Sequence, residues 1–585
     1  MAAFFGWDLL FIFGSINILM MRYLYLPLLC LLMFTSGPKA QQQFSDVTQN
    51  MGISGQSGLG HAVGWGDIDD DGDPDLGFSN QQGDGFWFYL NEGTQFTEIT
   101  GSAGLSGLGG NKIIIAEVTG DDFNDLILRT RSGTQFLFES NGDGTFNDIT
   151  TAAGIAAASV YNIADFNNDG RTDLLSVSDN EFAILYNNGD ATFQPPEPIG
   201  TYDSFWGAAV LDYDRDGFMD IYHTTYGGTP NILLRNNGDG TFTDATSQAG
   251  LEYADGAHGI DAGDFNNDGW TDIYLGSYSS LDCALFKNNG DGTFTDVALP
   301  TGAAGHHDTR TVAFVDYNND GWLDIFSSHH DFYSYSNTML RNNGDDSFTE
   351  VAESLGLSGK FIGDYFGQGW ADYDLDGAID LFAAGHIDKY RLFRNTGCPG
   401  SYLTIRLAGT ESNPNGIGAR VDVWFSGRRI SRSLLPNGGF HDFSDLCLYF
   451  GLDGSYSVDS ILVYWPSGIL QKLGMTNGNQ FLTIVEDETT GAGGDIPEAG
   501  TGHIRVHPNP AGDHAWIVFP EGFNDRMEIS VCDANGVPVL PVMELSPGEN
   551  GDRVQIHTGQ LSAGMYVVKA LGNRTAIVER FVVLR

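Results

Sequence analysis

Basic residues are scarce: 28 Lys and Arg stand against 76 Asp and Glu, a formal charge of −48. Phosphate backbones need a basic footprint, so a nucleic-acid partner is not expected. Cysteine is nearly absent as well, with five in 585 residues. Cys30 lies in an N-terminal apolar stretch, and Cys283, Cys398, Cys447 and Cys532 show no metal-ligand or framework spacing. A Cys398–Cys447 bridge is one alternative; unpaired packing cysteines are the favoured one. Also missing are a Gly-x-Ser-x-Gly elbow, a His-Glu-x-x-His pair and a phosphate-binding glycine loop. No catalytic residue is assigned. Long apolar runs are confined to the first 40 residues, so no membrane span is expected in the mature chain.

That N-terminal stretch has the order of an export signal. After Met21 come Arg22, the apolar run "YLPLLCLLMF", then "TSGPKA" before a polar start at Gln41. A start at Met20 or Met21 makes residues up to 40 a cleaved targeting segment. The apolar residues from Ala3 onward would otherwise extend it into a longer anchor.

What the chain does have is glycine, 78 residues, and aromatics at 12 %. Both suit turn-rich β structure, and the length calls for several domains. One motif dominates. "GDFNNDGWTDIY" (263–274) sets oxygen-bearing side chains two residues apart, then a glycine, then another carboxylate. Related stretches begin at Asp67, Glu117, Asp165, Asp212, Asp264, Asp316 and Asp372, at intervals of 47 to 56 residues. That interval fits one four-stranded propeller blade. A second element follows each loop, as in "NNGDGTFTDAT" (236–246), whose Asn-Gly and Asp-Gly pairs suit a tight hairpin. The strand after it starts at Phe44, Phe96, Phe146, Phe193, Phe242, Phe294 and Phe348. Loops and strands match in number only if Phe44–Thr48 completes the blade that begins near Asp372. The expectation is therefore an all-β chain led by a seven-bladed β-propeller closed by its own ends.

Alternate oxygens followed by a pivot glycine wrap a hard cation, and calcium is the expected cofactor, at about six sites. The complete ligand sets are Asp67, Asp69, Asp71, Asp75; Asp165, Asn167, Asp169, Asp173; and Asp212, Asp214, Asp216, Asp220. Three more are Asp264, Asn266, Asp268, Asp272; Asp316, Asn318, Asp320, Asp324; and Asp372, Asp374, Asp376, Asp380. The second copy has Glu117, Thr119, Asp121 and Asp125 but puts Asp122 where the pivot glycine belongs, so this site is expected to be weak or empty.

The 41–395 region resembles the FG-GAP/VCBS-type propeller of integrin α subunits, whose blades carry calcium in the first hairpin. "SNPNGIGARVDVWFSG" (412–427), "LYFGLDG" (448–454) and "VYWPSGILQKL" (463–473) resemble an ASPIC/UnbV domain. Gly416, Gly418, Ala419, Arg420, Trp465, Pro466 and Gly468 carry that likeness, assigned to an all-β domain at 396–486. A Gly- and acid-rich linker (487–502) leads to 503–585, which is similar to the C-terminal sorting domain of type IX secretion. His507–Pro510, Asn535–Gly536 and Gly564–Tyr566 carry the likeness, which implies a small β-sandwich, the type IX machinery as a partner, and a secreted or outer-surface location.

The functional expectation is a calcium-binding surface module for a glycan or protein ligand. The alternative is an extracellular propeller enzyme of the polysaccharide lyase or hydrolase type. If acidic loops and "NNGDG" turns share one face, the remaining connections share the other. Those connections hold Trp206, His223, His258, His306, His307, Arg310, His329, His330, Tyr335 and His386, the expected ligand-binding residues.

Overall fold

The computed structural model describes residues 43–487, except 54–59, 81–84, 227–228, 254–255, 278–281, 306–307, 330–336, 359–364, 386–389, 398–399 and 437–440. Beyond 504 it describes the strands and a few flanking residues. The targeting segment, the linker, His306, His307, His330, Tyr335 and His386 lie outside the described residues.

The region from Phe44 to Asn395 forms seven antiparallel sheets, each built on a meander of four short strands or its equivalent. In the fifth, Ala257–Gly263, Asp272–Ser277, Ala284–Asn288 and Phe294–Asp296 pair in sequence order. The first two strands flank the acidic loop, and the "NNGDG" turn joins the last two. The seventh sheet takes its outer strand from the far end of the chain: Phe44–Asp46 pairs antiparallel with Arg391–Asn395. The first strand of the first sheet, Gly60–Gly66, lies against the first strands of both the second and seventh sheets. The arrangement is propeller-like. Sheets covered on both faces explain first strands that are largely buried rather than alternating. Glycine permits the close approach near the axis, since a Cβ on Gly367 would lie 2.1 Å from the His61 carbonyl oxygen.

Two local expectations need correction. The third sheet's outer strand is Glu197–Thr201, not a strand starting at Phe193. Phe193 makes one bridge to Asn187, then Pro195 and Pro196, which donate no N–H, delay the ladder. After the outer strands of the fourth, fifth and sixth sheets, single helical turns form at Thr246–Ala249, Ala298–Thr301 and Ala352–Leu355. No helical period in the sequence announced them.

Residues 402–485 form a second all-β body. One sheet orders Cys447–Gly451, Tyr402–Ala408 and Gln480–Val485; another orders Arg428–Ser433, Arg420–Phe425, Ser460–Tyr464 and Leu470–Leu473. Their facing sides bury Leu403, Ile405, Val421, Val423, Phe450 and Trp465. Gly416 and Gly418 take φ of 69° and 92°, and the Trp465 indole donates to Gln471 at 2.8 Å, so this motif builds the core. Cys447 carries no disulfide, and the Cys283 sulfur is buried 3.4 Å from the Thr309 hydroxyl. The C-terminal unit, Ala492–Arg585, contains a three-stranded and a four-stranded sheet.

Candidate functional site

Each acidic loop is first a hydrogen-bond frame. In the fifth, Asp264 accepts the N–H of Asp268 at 3.1 Å and of Gly269 at 2.7 Å. Asp268 in turn accepts the N–H of Trp270 at 2.9 Å. Asp272 is fully buried and joins two strands, accepting from Phe265 at 3.2 Å and from Asn288 at 2.8 Å. The same frame recurs around Asp165 and Asp173, while Asp324 and Asp380 keep the bond from the third strand alone.

The asparagine that opens each "NNGDG" turn was missed as a functional position. Asn288 Nδ2 donates to the Tyr213 carbonyl of the preceding loop at 2.9 Å. Asn187, Asn236, Asn342 and Asn395 repeat the contact, and Ser140 substitutes in the second sheet. Asn91 carries it from the first sheet to Tyr373 of the seventh at 2.7 Å. Its recurrence before the turn was the available signal.

Within this frame, carboxylates crowd. Asp67, Asp69 and Asp71 bring one oxygen each within 4.8 Å of the others, as do Asp212, Asp214, Asp220 and Asp372, Asp374, Asp380. Buried oxygens of Asp69, Asp214, Asp324, Asp374 and Asp380 have no hydrogen-bond partner. Burial, reinforced by neighbouring carboxylates, pushes Asp69 up to about 7, and burial also drives Asp264 and Asp316 to about 7 and Asp372 to about 8. Oxygen donors with orphaned, clustered lone pairs fit a hard cation, which would balance the repulsion.

The second loop differs. Glu117 accepts the N–H of Gly120 and of Asp121, and the Thr119 hydroxyl turns onto Asp125 at 3.0 Å. Asp122 sits at φ 73°, the conformation glycine takes in the six other loops. Its donors are engaged with one another.

The second body lies over this face and touches every loop. Arg406 pairs with Asp67 at 2.9 Å, Asn415 binds the Glu117 backbone and the Thr172 hydroxyl, and Gly418 lies against Met219. Arg432 donates to Asn267 at 3.0 Å, Gly451 N to Asp316 at 3.1 Å, and Asp372 N to the Tyr449 hydroxyl at 3.2 Å. One segment goes deeper. Asp442–Phe443 pairs in parallel with Gly60–Gly66. Asp442 accepts from Lys112 through its carbonyl, and from the Thr311 hydroxyl and Gln368 N through its carboxylate. Three different first strands are thereby held.

The opposite, connecting-loop face is shaped by β-bulges. Register shifts in the first strands fall at Tyr161, Trp206, His258–Gly259 and Arg310, with another across His61–Ala62. A bulge re-aims its side chain. Three of the expected ligand residues come together as a result. The Trp206 ring stacks on His258 at 4.3 Å and on Tyr226 at 5.2 Å. Arg310 Nη1 meets His258 Nδ1 at 2.7 Å, and its Nη2 lies 3.3 Å from Asp308. Tyr226 is 43 % exposed. Trp206, His258 and Arg310 each stand six residues before the first acid of their loop, a spacing the sequence displays.

His223 and His329 are not part of this group. His223 is fully buried among Phe182, Tyr202 and Phe205, and burial lowers it to about 4. His329 meets the hydroxyls of Thr309 and Thr338, both at 3.0 Å, so its ring nitrogens face inward.

The FG-GAP-like repeat model matches residues 165–223, 224–275 and 269–327. The ASPIC and UnbV model matches 409–491, and the secretion system C-terminal sorting domain model matches 505–584. Human cartilage acidic protein 1 is 28 % identical over 311 residues, 50 % of this chain and 46 % of that protein. The Xenopus tropicalis protein of that name is 28 % identical over 321 residues, 52 % of this chain and 49 % of its own length. The chain thus spans about half the length of the curated relatives it matches. Among solved structures, an Agrocybe aegerita lectin that recognises non-reducing terminal N-acetylglucosamine has a TM-score of 0.38 at 19 % identity, covering 58 % of this chain and 94 % of its own. The Vibrio cholerae biofilm matrix protein Bap1 scores 0.31 at 13 % identity, covering 93 % and 91 %. Both likenesses are too slight to bear on function. No helix among the described residues is long and apolar enough to cross a membrane. The chain carries FG-GAP-like repeats, an ASPIC/UnbV domain and a type IX sorting domain, and that last domain marks it for secretion to the outer cell surface.

Proposed function

We propose that the chain is a calcium-stabilised, seven-bladed propeller that binds an extracellular glycan or protein ligand through its connecting-loop face. Seven sheets, the Phe44–Asp46 pairing and the Asn91 contact to the seventh sheet support the closed ring. Clustered carboxylates in the first, fourth and seventh loops and an unpartnered buried oxygen of Asp324 in the sixth support calcium as a structural ion, and the shared residue pattern extends the reading to the third and fifth loops. The second domain covers the acidic-loop face, which leaves the other face for a ligand.

The observation that carries the ligand reading is the Trp206–His258–Tyr226 stack with Arg310 beside it, assembled from three adjacent sheets. An aromatic platform edged by polar groups suits a sugar ring or a peptide side chain. The test is binding of the secreted chain to a panel of glycans and peptides. Trp206→Ala and Arg310→Ala should weaken the ligand found by tenfold or more and leave calcium-dependent melting intact. Wild-type affinity in both variants would place the ligand elsewhere.

A further inference from the structure

Position four of each acidic loop takes a left-handed conformation. Asn168, Asn267 and Asn319 occupy it in three loops, and each donates Nδ2 to the pivot-glycine carbonyl of the next loop at 2.8–2.9 Å. The other four loops carry Asp70, Gly120, Arg215 and Leu375 there, and Arg215 of the fourth, at φ 59°, is the one with a long basic side chain. Its guanidinium crosses to the fifth loop and lies 3.8 Å over the Trp270 ring. It makes no side-chain hydrogen bond or ion pair with the described residues. A residue that gives up the repeat's own contact is a candidate for another task.

Two arginines of the second domain reach the same point. Arg420 lies 3.9 Å over the Tyr464 ring, and Arg429 stands on the neighbouring strand. A Cβ on Gly269 would lie 3.0 Å from Arg215 Nη2, 3.2 Å from Arg429 Nη2 and 3.7 Å from Arg420 Nη1. Gly269 is held at φ 97°, so no side chain fills that space. Three guanidinium groups converge there, two of them fixed by aromatic stacking.

Their counter-charge is thin. Asp422 is the carboxylate within 4 Å, 3.7 Å from Arg420 Nε and 3.9 Å from Arg429 Nη1, and it is shared between them. Asp264 and Asp268 act on Arg215 from farther away, and a cation in the fifth loop would balance their charge. In a chain of −48, three guanidinium groups gathered at one point are an exception. Arg429 and Arg420 keep 30 % and 19 % of their side-chain surface exposed, and Arg215 is exposed, so solutes reach the cluster.

We propose that Arg215, Arg420 and Arg429 form an oxyanion site at the seam between the fourth and fifth loops and the second domain, taking a sulfate or carboxylate group of an acidic polysaccharide. Planar guanidinium groups present paired donors that match such oxygens. The site is on the face opposite the Trp206 cluster and does not depend on it.

The test titrates sodium sulfate into the calcium-saturated full chain by calorimetry, with ionic strength held constant by sodium chloride. Wild type should give saturable binding. Arg215→Asn, which restores the residue of three other loops, and Arg429→Ser should each weaken it at least tenfold with unchanged melting. Arg171→Asn, on the third loop, should bind as wild type. Absence of saturable heat in wild type, or equal binding by Arg215→Asn and Arg429→Ser, overturns the proposal. Chondroitin sulfate, hyaluronan and neutral dextran then separate the sources. Capture of chondroitin sulfate alone assigns a sulfate ester, capture of both acidic polymers assigns the carboxylate, and equal capture of dextran overturns the site.

Discussion

The fifth and second acidic loops share a backbone frame and differ in what fills it. Asp272 and Asp125 are both fully buried, and each accepts two backbone N–H groups that tie its loop to the third strand. Around Asp272 the remaining oxygens come from Asp264, Asn266 and Asp268, with glycine at the pivot. Around Asp125 they come from Glu117, Thr119 and Asp121, the threonine hydroxyl already bonded to the carboxylate, with Asp122 at the pivot. The frame and the cation cradle are therefore separable. One carboxylate holds the sheet together; the others are the donors the proposed calcium would use.

Within a single loop, the largest effect should come from removing that carboxylate. Asp125→Ala strands the amides of Val118 and Ser140, at about 1–3 kcal/mol per unsatisfied group. Urea unfolding should show the loss equally with calcium and with chelator. Asp272→Ala should lose as much in chelator and more in calcium. A neutral Asp125→Ala would break the comparison by showing that the frame needs no anchor.

Chelation should act next. An ion that binds only the folded chain stabilises it by about 2.7 kcal/mol per site at 100-fold excess over its dissociation constant. Excess chelator should lower Tm markedly, and an unchanged melting curve with no calcium uptake by calorimetry would remove the ion from the fold.

The third prediction concerns protons. In the chelated chain, burial raises Asp212 to about 6, Asp264 to about 7 and Asp173 to about 8. Groups raised in the folded state add stability that is complete below their unfolded value near 4. That stability is lost as pH climbs through the folded values. Chelated protein should thus be more stable at pH 5 than at pH 8, and added calcium should restore most at pH 8. Melting scans that stay flat across that range would show that burial does not burden these carboxylates.

The smallest effect sharpens the comparison directly. Asp122→Gly with Thr119→Asp should convert the second loop to the pattern of the others and add one bound ion to the count. Relief of the positive φ contributes on the order of 1 kcal/mol. Equilibrium dialysis with an unchanged count would show that more than these two positions closes the site.

The repeat itself was legible because its chemistry is local. Loop spacing, the "NNGDG" turn and the displaced Phe44 strand all follow from short stretches read at one register. The third sheet misled because Phe193 fits the pattern and two prolines just after it do not. The second domain's reach was illegible for a different reason: Arg406 and Asp67 are 339 residues apart, and no local pattern encodes such a pair. Trp206, His258 and Arg310 fell between these cases. Their six-residue offset from the loops was visible, but only the bulges show why that offset turns them toward one another.

The Asp442–Phe443 segment has a consequence for time as well as space. Val63 and Gly64 pair with residues made almost 380 positions later, and the Phe44 strand waits for Asn395. Contacts of such sequence separation are slow to form, because long loops must close before they are rewarded. A nascent chain emerging from the ribosome has neither partner until residues 395 and 442 of its 585 have been made. The first and seventh sheets thus finish later than the five between them, although the first sheet's meander is made before any of those five.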